Sequence, residues 1–404
     1  MIWVLYIGSK PLGTWFRSSS TIEYGSPLDR AFLISLMLIA VVILIKRKFD
    51  WRGAIKKNSW LIILVIMMLV SIIWSSIPYI SFKRWTRELT AILMAFVILS
   101  EPSPRRATEV IFRRMTYILI PFSILLIKYF PSYGRMYNPW TGKVSWIGVT
   151  LQKNCLGILC LAVGFFLVWS LIRRRQGNNP PIWRYQTHVE IFLLAMTIFL
   201  LKGAESATSS IALCVGLIGY FSFYIAKKRG IKLPSNLLAT IVAAIILVGI
   251  VTPFTSASNI GSFAGFVGRN STLTGRTEIW NVILPVIKPR IILGLGFGAY
   301  WTTQSVETVG VNESHNGYLG VIMEIGVVGL LLVSIFLLSC CRRAQQELSN
   351  DFDWGVIWAC FIIMFVIENI AESSINDLAS LLTSIIIFFS FLPEREVQGY
   401  HAGS

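Results

Sequence analysis

The sequence predicts an all-α integral membrane protein of about eleven or twelve transmembrane helices with one long outer loop, and three observations predict it. Of 404 residues, 55% are hydrophobic and only 14% are charged, where a soluble domain carries about 25% charged residues. Mean hydropathy is +0.67. The apolar residues also fall in solid runs of Leu, Ile, Val and Phe, not in the weak alternation of transmembrane strands. A chain of this length would make roughly two or three soluble domains; here it reads as one helical bundle with short loops.

Taken in order, apolar runs lie near 28–45, 59–76, 85–100, 114–130, 150–171, 188–202, 208–226 and 236–253, making an N-terminal transmembrane bundle over residues 1–253. Residues 254–316 are rich in Ser, Thr, Asn and Gly and form the long loop. Runs near 317–341, 354–371 and 377–392 and a tail complete residues 317–404. Several runs fall short of the roughly 20 residues that a straight span needs, so neighbours must tilt or unwind. Residues 1–27 are either an interfacial helix anchored by Trp3, Tyr6, Trp15 and Phe16 or the stub of a further span. Residues 1–8 lack the basic start and small-residue cleavage site of a signal peptide. Cys155, Cys160, Cys214, Cys340, Cys341 and Cys360 all lie in or beside apolar runs without zinc-type spacing, so they read as reduced packing residues. The Pro-Pro segment from Asn178 to Trp183 is the one linker-like composition, and there is no internal repeat.

Orientation follows from the basic residues. Alternate loops hold tight clusters such as Lys46, Arg47 and Lys48, Arg173, Arg174 and Arg175, or Lys227, Lys228 and Arg229, with Arg395 in the tail. The positive-inside rule places these in the cytoplasm and the 254–316 loop outside. The outer face should then be poor in cations, yet it holds Lys83, Arg84, Arg87, Arg135, Lys143, Lys153, Lys202, Arg269, Arg276, Lys288 and Arg290. Each alone suits interfacial snorkelling. As a group, they call for an anionic ligand, because Arg forks and Lys point charges suit phosphate oxygens.

Several stretches carry a family resemblance: GRTEIW (Gly275 to Trp280), a run ending GLGFG (Gly294 to Gly298), and HNGYL (His315 to Leu319) followed by a Gly-rich span. Their order and spacing resemble the O-antigen ligase and Wzy-type polymerase superfamily (Wzy_C). WSSIPYISFKRW, LIKYFPSYGRMYNPWTG and GVTLQKNCLG look most like its ExoQ-like exopolysaccharide polymerase branch. The resemblance runs from about residue 25 to about 335. It implies a GT-C-like glycosyltransferase in the bacterial inner membrane, multi-pass, with an active site facing the periplasm. That enzyme would be metal-independent and inverting, without a cofactor, moving glycan from undecaprenyl pyrophosphate to a sugar hydroxyl. The implied partners are the undecaprenyl-pyrophosphate-linked glycan donor, a sugar acceptor (growing polymer or lipid A-core) and membrane lipids, with no nucleic acid. Polymerase, O-antigen ligase and lipid-linked oligosaccharide flippase are the rival readings. Relatives often have Glu directly after HNGYL; here Gly320 stands there and the carboxylate comes at Glu324.

The chemistry can be argued from the residues. Displacing a pyrophosphate from an anomeric carbon requires stabilising the leaving charge and deprotonating the attacking hydroxyl. The outer loops lack a DxD-type acidic pair, so cationic side chains must stabilise the leaving group. Arg276 comes first: Gly275 lets backbone approach closely, and a helical-looking TEIWNVIL follows. Arg84 is second, with Lys153, Arg135 and Lys83 behind it. Arg276 could instead pair with Glu278, and Arg84 could anchor its helix beside Trp85. His315 is the candidate general base, since a neutral imidazole accepts a proton near neutral pH; the alternative is a histidine that orients the helix start. Asn316, Tyr318 and Glu324 are possible supporting residues. Glu324 falls roughly 180° around the helix from His315, and structural pairing is open for it, as for Glu368 and Glu372. Gly294, Gly296 and Gly298 have no preceding strand, so they read as close helix packing and not as a nucleotide loop.

Overall fold

A computed structural model of the chain describes residues 1–137, 144–178, 181–255 and 275–392. Lys143, Arg269, Arg395, His401, part of the Pro-Pro segment and residues 256–274 lie outside the described residues.

Every apolar run coincides with a helix. Among the described residues, seven helices are long and apolar enough to cross a membrane, or up to eight if the pair Trp51–Lys57 and Ser59–Trp74, bent by 91°, is one span. The expected eleven is higher for a physical reason. Pro78–Leu99 has 22 residues but carries Lys83, Arg84, Arg87 and Glu88 in its first half. Phe352–Glu368 has 17 residues and Leu381–Phe391 only 11. Both short helices are buried along nearly their whole length, so protein, not lipid, surrounds them.

Helix starts follow local chemistry. Pro27 opens the Pro27–Lys46 helix, where the Ser26 hydroxyl accepts from Leu28 N at 3.2 Å. Pro78 and Pro104 likewise open two further long helices, there without a side-chain cap. The basic clusters at one end are knitted into acids from other helices: Arg105 to Glu347 (2.7 Å) and Asp351 (2.8 Å), Arg173 to Glu109 (2.6 Å) and Asp353 (3.1 Å), and Arg174 to Glu190 (3.0 Å). Residues 1–27 form neither an exposed interfacial helix nor a span. Ile2–Ile7 buries Trp3 and Val4. Lys10 reaches the carbonyls of Tyr133 and Gly148, and Trp15 stacks on Phe122 and Tyr133. Only Phe16, of the four expected anchors, is largely exposed. The sole sheet among the described residues is a hairpin pairing Arg135–Tyr137 with Val144–Trp146.

The feature that positions the site is a break in the longest helix, Gly317–Asn350. Helical geometry fails at Ile325 (φ −128°) and Gly326 (φ 69°), which frees backbone groups inside the bundle that need partners. The Gly-rich stretch of the long loop supplies them. Leu295 N donates to Met323 O (2.9 Å), Gly296 N to Glu324 O (2.9 Å), and Val327 N to Ile291 O (2.9 Å). Glycine is required on both sides: a Cβ on Gly294 would lie 2.6 Å from the Glu324 backbone, and one on Gly326 would collide with the Ile292 carbonyl. Gly294, Gly296 and Gly298 all have positive φ. Thus part of the 254–316 segment is threaded back into the bundle.

Gly326→Ala combines a left-handed backbone with that collision and should destabilise the protein by roughly 2 kcal/mol or more. Gly219→Ala, whose Cβ would meet its nearest neighbour at an ordinary 3.7 Å, should stay within about 0.5 kcal/mol of the parent. Thermal unfolding of both in detergent checks this; equal midpoints would mean that the threaded loop does not hold the break.

Candidate functional site

The site is built on one carboxylate. Glu372 lies just past the end of Phe352–Glu368, its N–H bonded to Glu368 O at 3.0 Å. Its Oε1 accepts from Arg276 Nη2 and from Asn154 Nδ2, both at 2.7 Å. Its Oε2 stands 3.7 Å from His315 Nδ1, and Glu313 Oε1 is 3.4 Å from that same nitrogen. Neither contact is a hydrogen bond: His315 Nδ1 is buried without a hydrogen-bond partner among the described residues. Arg276 and His315 therefore converge on opposite oxygens of a single buried side chain. Arg276 is itself buried, and its Nε finds no partner among the described residues.

Local sequence explains the placement. Gly275, at φ 86°, turns the chain into the Arg276–Ile287 helix. His315 has φ 49°, uncommon for a non-glycine residue, and its flanks hold it there. Trp280 Nε1 donates to Ser314 O (2.9 Å), and Ser314 Oγ donates to Asn316 O (2.8 Å). Asn316 caps the broken helix by accepting from Leu319 N (2.8 Å) and donates to Gly249 O and Ile370 O, both at 3.0 Å. Tyr318 hydroxyl donates to Val366 O (2.7 Å) with its ring against Gly249. Asn316 and Tyr318 thus anchor the turn, and neither lines the two cavities described next.

Electrostatics tune the pair. Burial works against the imidazolium, but the Glu372 and Glu313 carboxylates outweigh it, so the His315 pKa is raised above its ordinary value despite opposition from Arg276. Burial also raises the Glu313 carboxyl, helped by Glu372 and opposed by His315 and Arg276.

Two cavities adjoin this cluster. One, of about 350 Å³, has an apolar wall including Trp3, Ile7, Leu33, Ile158 and Leu381 and reaches Glu372. The other, of about 320 Å³, is lined by polar groups including Arg84, Glu88, Glu324 and Asn376. Arg87, Gln152, Glu313, Ser373 and Asp377 line both. Arg276 and His315 line neither; they reach the cavities through Glu372 and Glu313.

The remaining sequence-derived residues separate. Arg84 lines the polar cavity but donates to Gly298 O, Trp301 O (2.8 Å) and Ile22 O (3.0 Å), so its fork is already engaged by backbone. Lys153 opens the Lys153–Arg175 helix beside Asn154. Arg135 donates from Nε to Ile127 O (3.0 Å) in the hairpin and lines neither cavity. Lys83 lies over the rings of Tyr24 (4.8 Å) and Tyr79 (5.3 Å). Glu324 faces the polar cavity with Asn376 Nδ2 at 3.5 Å. Sequence reasoning underweighted Glu372, Arg87, Asn154, Asn376 and Asp377. The usable signal was the run from Glu368 to Asp377 (ENIAESSIND), dense in acids and amides between two apolar segments. Glu313, His315 and Glu372 also bring donor atoms within 4.8 Å of one another, a set able to ligate a cation; Arg276 already occupies one oxygen of Glu372.

Comparison with known proteins bears on this constellation. Residues 191–334 match the family described as O-antigen ligase (Wzy_C), a stretch that contains Arg276, His315 and Glu324. The chain is 22% identical over 343 residues to the exopolysaccharide production protein ExoQ of Rhizobium meliloti (strain 1021), covering 78% of this chain and 74% of that protein.

Because two carboxylates stabilise the imidazolium, modification of His315 by diethyl pyrocarbonate should have a midpoint above pH 6.5. Glu313→Gln removes a negative charge, lowers the His315 pKa and moves that midpoint to lower pH. An unmoved or rising midpoint, read by mass spectrometry of the labelled peptide, would uncouple Glu313 from the imidazole.

Proposed function

We propose that this chain, a multi-pass membrane protein carrying an O-antigen ligase domain, is a polysaccharide polymerase of the bacterial inner membrane. It transfers glycan from undecaprenyl pyrophosphate to an acceptor sugar hydroxyl on the periplasmic face. One observation carries the reading: an apolar cavity and a polar cavity meet at Arg87 and Glu313, beside the cluster that joins Arg276, Glu372 and His315. A polyprenyl diphosphate glycan has the same division into oily chain, anionic junction and hydroxyl-rich head. The family match supports transfer of this class, and the relative's name, an exopolysaccharide production protein, favours polymerase over ligase.

In this reading, the polyprenyl chain lies along the apolar wall and the diphosphate sits at the junction. Arg276, with Arg87 nearer the cavities, offsets the charge that develops on the leaving oxygen. The acceptor oxygen attacks the anomeric carbon from the opposite side. The C1–O bond to phosphate breaks, its electron pair leaves with undecaprenyl pyrophosphate, and the configuration inverts. The acceptor proton passes to His315, whose raised basicity suits it to receive that proton. Glu372 positions His315 and Arg276 together. The cationic side chains supply the charge stabilisation that a divalent ion provides in other glycosyltransferases.

The test is purified protein in nanodiscs with undecaprenyl-pyrophosphate glycan and excess EDTA. Chain extension with release of undecaprenyl pyrophosphate is expected. Loss of transfer that only added divalent cation restores would overturn the metal-independent reading and point to Glu313, His315 and Glu372 as ligands. Transfer solely onto lipid A-core would make the protein a ligase.

His315→Ala should lower the rate by about 10²–10⁴-fold. His315→Asn, which tolerates the left-handed backbone, should lose as much while unfolding normally. Arg276→Lys should lose about 10²-fold, since a point charge cannot hold both Glu372 and a phosphate oxygen as a fork does. Near-normal product length in the His315 variants, or full activity with Lys at 276, would remove that residue from the chemistry.

A further inference from the structure

We infer that the polar cavity is the acceptor-sugar subsite and that Glu324, with Asn376, is a specificity-determining pair that reads hydroxyls of a neutral sugar ring. This rests on the transfer reaction proposed above and adds which sugars the site admits.

Glu324 is 6% exposed, yet it lines the cavity. It forms no ion pair among the described residues. One of its oxygens has Asn376 Nδ2 at 3.5 Å, the outer limit of a hydrogen bond, and the other has no partner there. Asn376 Oδ1 is also buried without a partner among the described residues. Buried polar groups are otherwise satisfied almost everywhere in proteins, so the Glu324 oxygen left open to the void, with a second unsatisfied acceptor behind it, indicates a ligand that donates hydrogen bonds. Sugar hydroxyls do so. Gly320 keeps this corner open: a Cβ there would stand 3.1 Å from Ser314 Oγ and 3.2 Å from Asn376 Nδ2. The volume, about 320 Å³, falls at the lower end of the ~300–1,000 Å³ of small-molecule sites.

Two arguments select the acceptor and its charge. An inverting displacement puts nucleophile and leaving group on opposite sides of the anomeric carbon. With the polyprenyl diphosphate in the apolar cavity, the acceptor approaches from the polar one, past Glu313, which touches His315. The cavity's cations are also occupied. Arg84 is bonded to three carbonyls, while Arg87, 3.0 Å from Glu88 and 3.7 Å from Asp377, is committed to the donor diphosphate at the junction. A uronate carboxylate buried beside Glu324 would therefore find no free cation among the described residues, and is disfavoured against a neutral ring.

The experiment uses the full chain in nanodiscs, assayed for transfer, with methyl hexosides and methyl glucuronide as competitors of the acceptor. In the parent protein, the neutral glycosides should compete at least tenfold better than the glucuronide. Glu324→Gln should narrow that gap to under threefold, and Glu324→Ala should raise the acceptor KM about tenfold while leaving the donor KM unchanged. A gap unaltered by Gln, or a rise in donor KM alone, would overturn the assignment, the latter making the cavity a donor site. Thermal unfolding identifies a variant that merely misfolds; Gln is close enough in size to stay within a few degrees of the parent. If the parent protein transfers nothing, the reaction class fails first. Tryptophan fluorescence then still reports whether methyl hexosides bind in the cavity lined by Trp301, and no response in either parent or variant overturns the subsite.

Discussion

The carboxylate of Glu372 is the interaction on which the active constellation depends. A buried anion is costly unless it is paired and hydrogen-bonded, and Glu372 meets that demand with groups from three distant segments: Arg276 from the long loop, Asn154 from the start of a central helix, and His315 from the turn before the broken helix. Displacing the segment that carries Arg276 would leave a charge unmatched inside the protein. Such an arrangement gives geometry more than stability. Arg276 keeps an unpaired Nε and His315 a raised affinity for its proton while both are tethered to a common point.

The break in the Gly317–Asn350 helix serves a second purpose. An unbroken helix would satisfy its own backbone and leave the Gly-rich loop outside. Because Gly326 interrupts it, strand-like hydrogen bonds draw Ile291–Gly296 into the bundle. That fixes the carbonyls of Gly298 and Trp301 where Arg84 can hold them. Glu324 immediately precedes the break, which sets its side chain at the floor of the polar cavity.

Much of this was legible in the chain. Each hydrophobic run is a helix, the motifs at Arg276 and His315 do meet, and the three glycines of GLGFG pack against a helix, as the lack of a preceding strand implied. What composition could not give was the distinction between a span bathed in lipid and a short helix enclosed by protein: Leu381–Phe391 is apolar for the latter reason. Nor could spacing rank the cations. Arg84 and Arg135 look alike on paper, yet one lines a cavity and the other turns back onto the Ile127 carbonyl of a neighbouring helix, because tertiary carbonyls decide where a guanidinium goes. Glu372 was hidden for a related reason: an acid's worth lies in partners that are remote in sequence.

The stretch Gly294–Gly298 touches both sides of one chamber, with Gly296 bonded to the backbone of Glu324 and Gly298 to Arg84. Floor and wall are therefore tied together by a strap five residues long. The same chamber is also lined by Asn312, which is exposed, and Gln152, which is half-buried. In the polymerase reading proposed above, the newest end of a lengthening chain would meet the exposed Asn312 at each cycle.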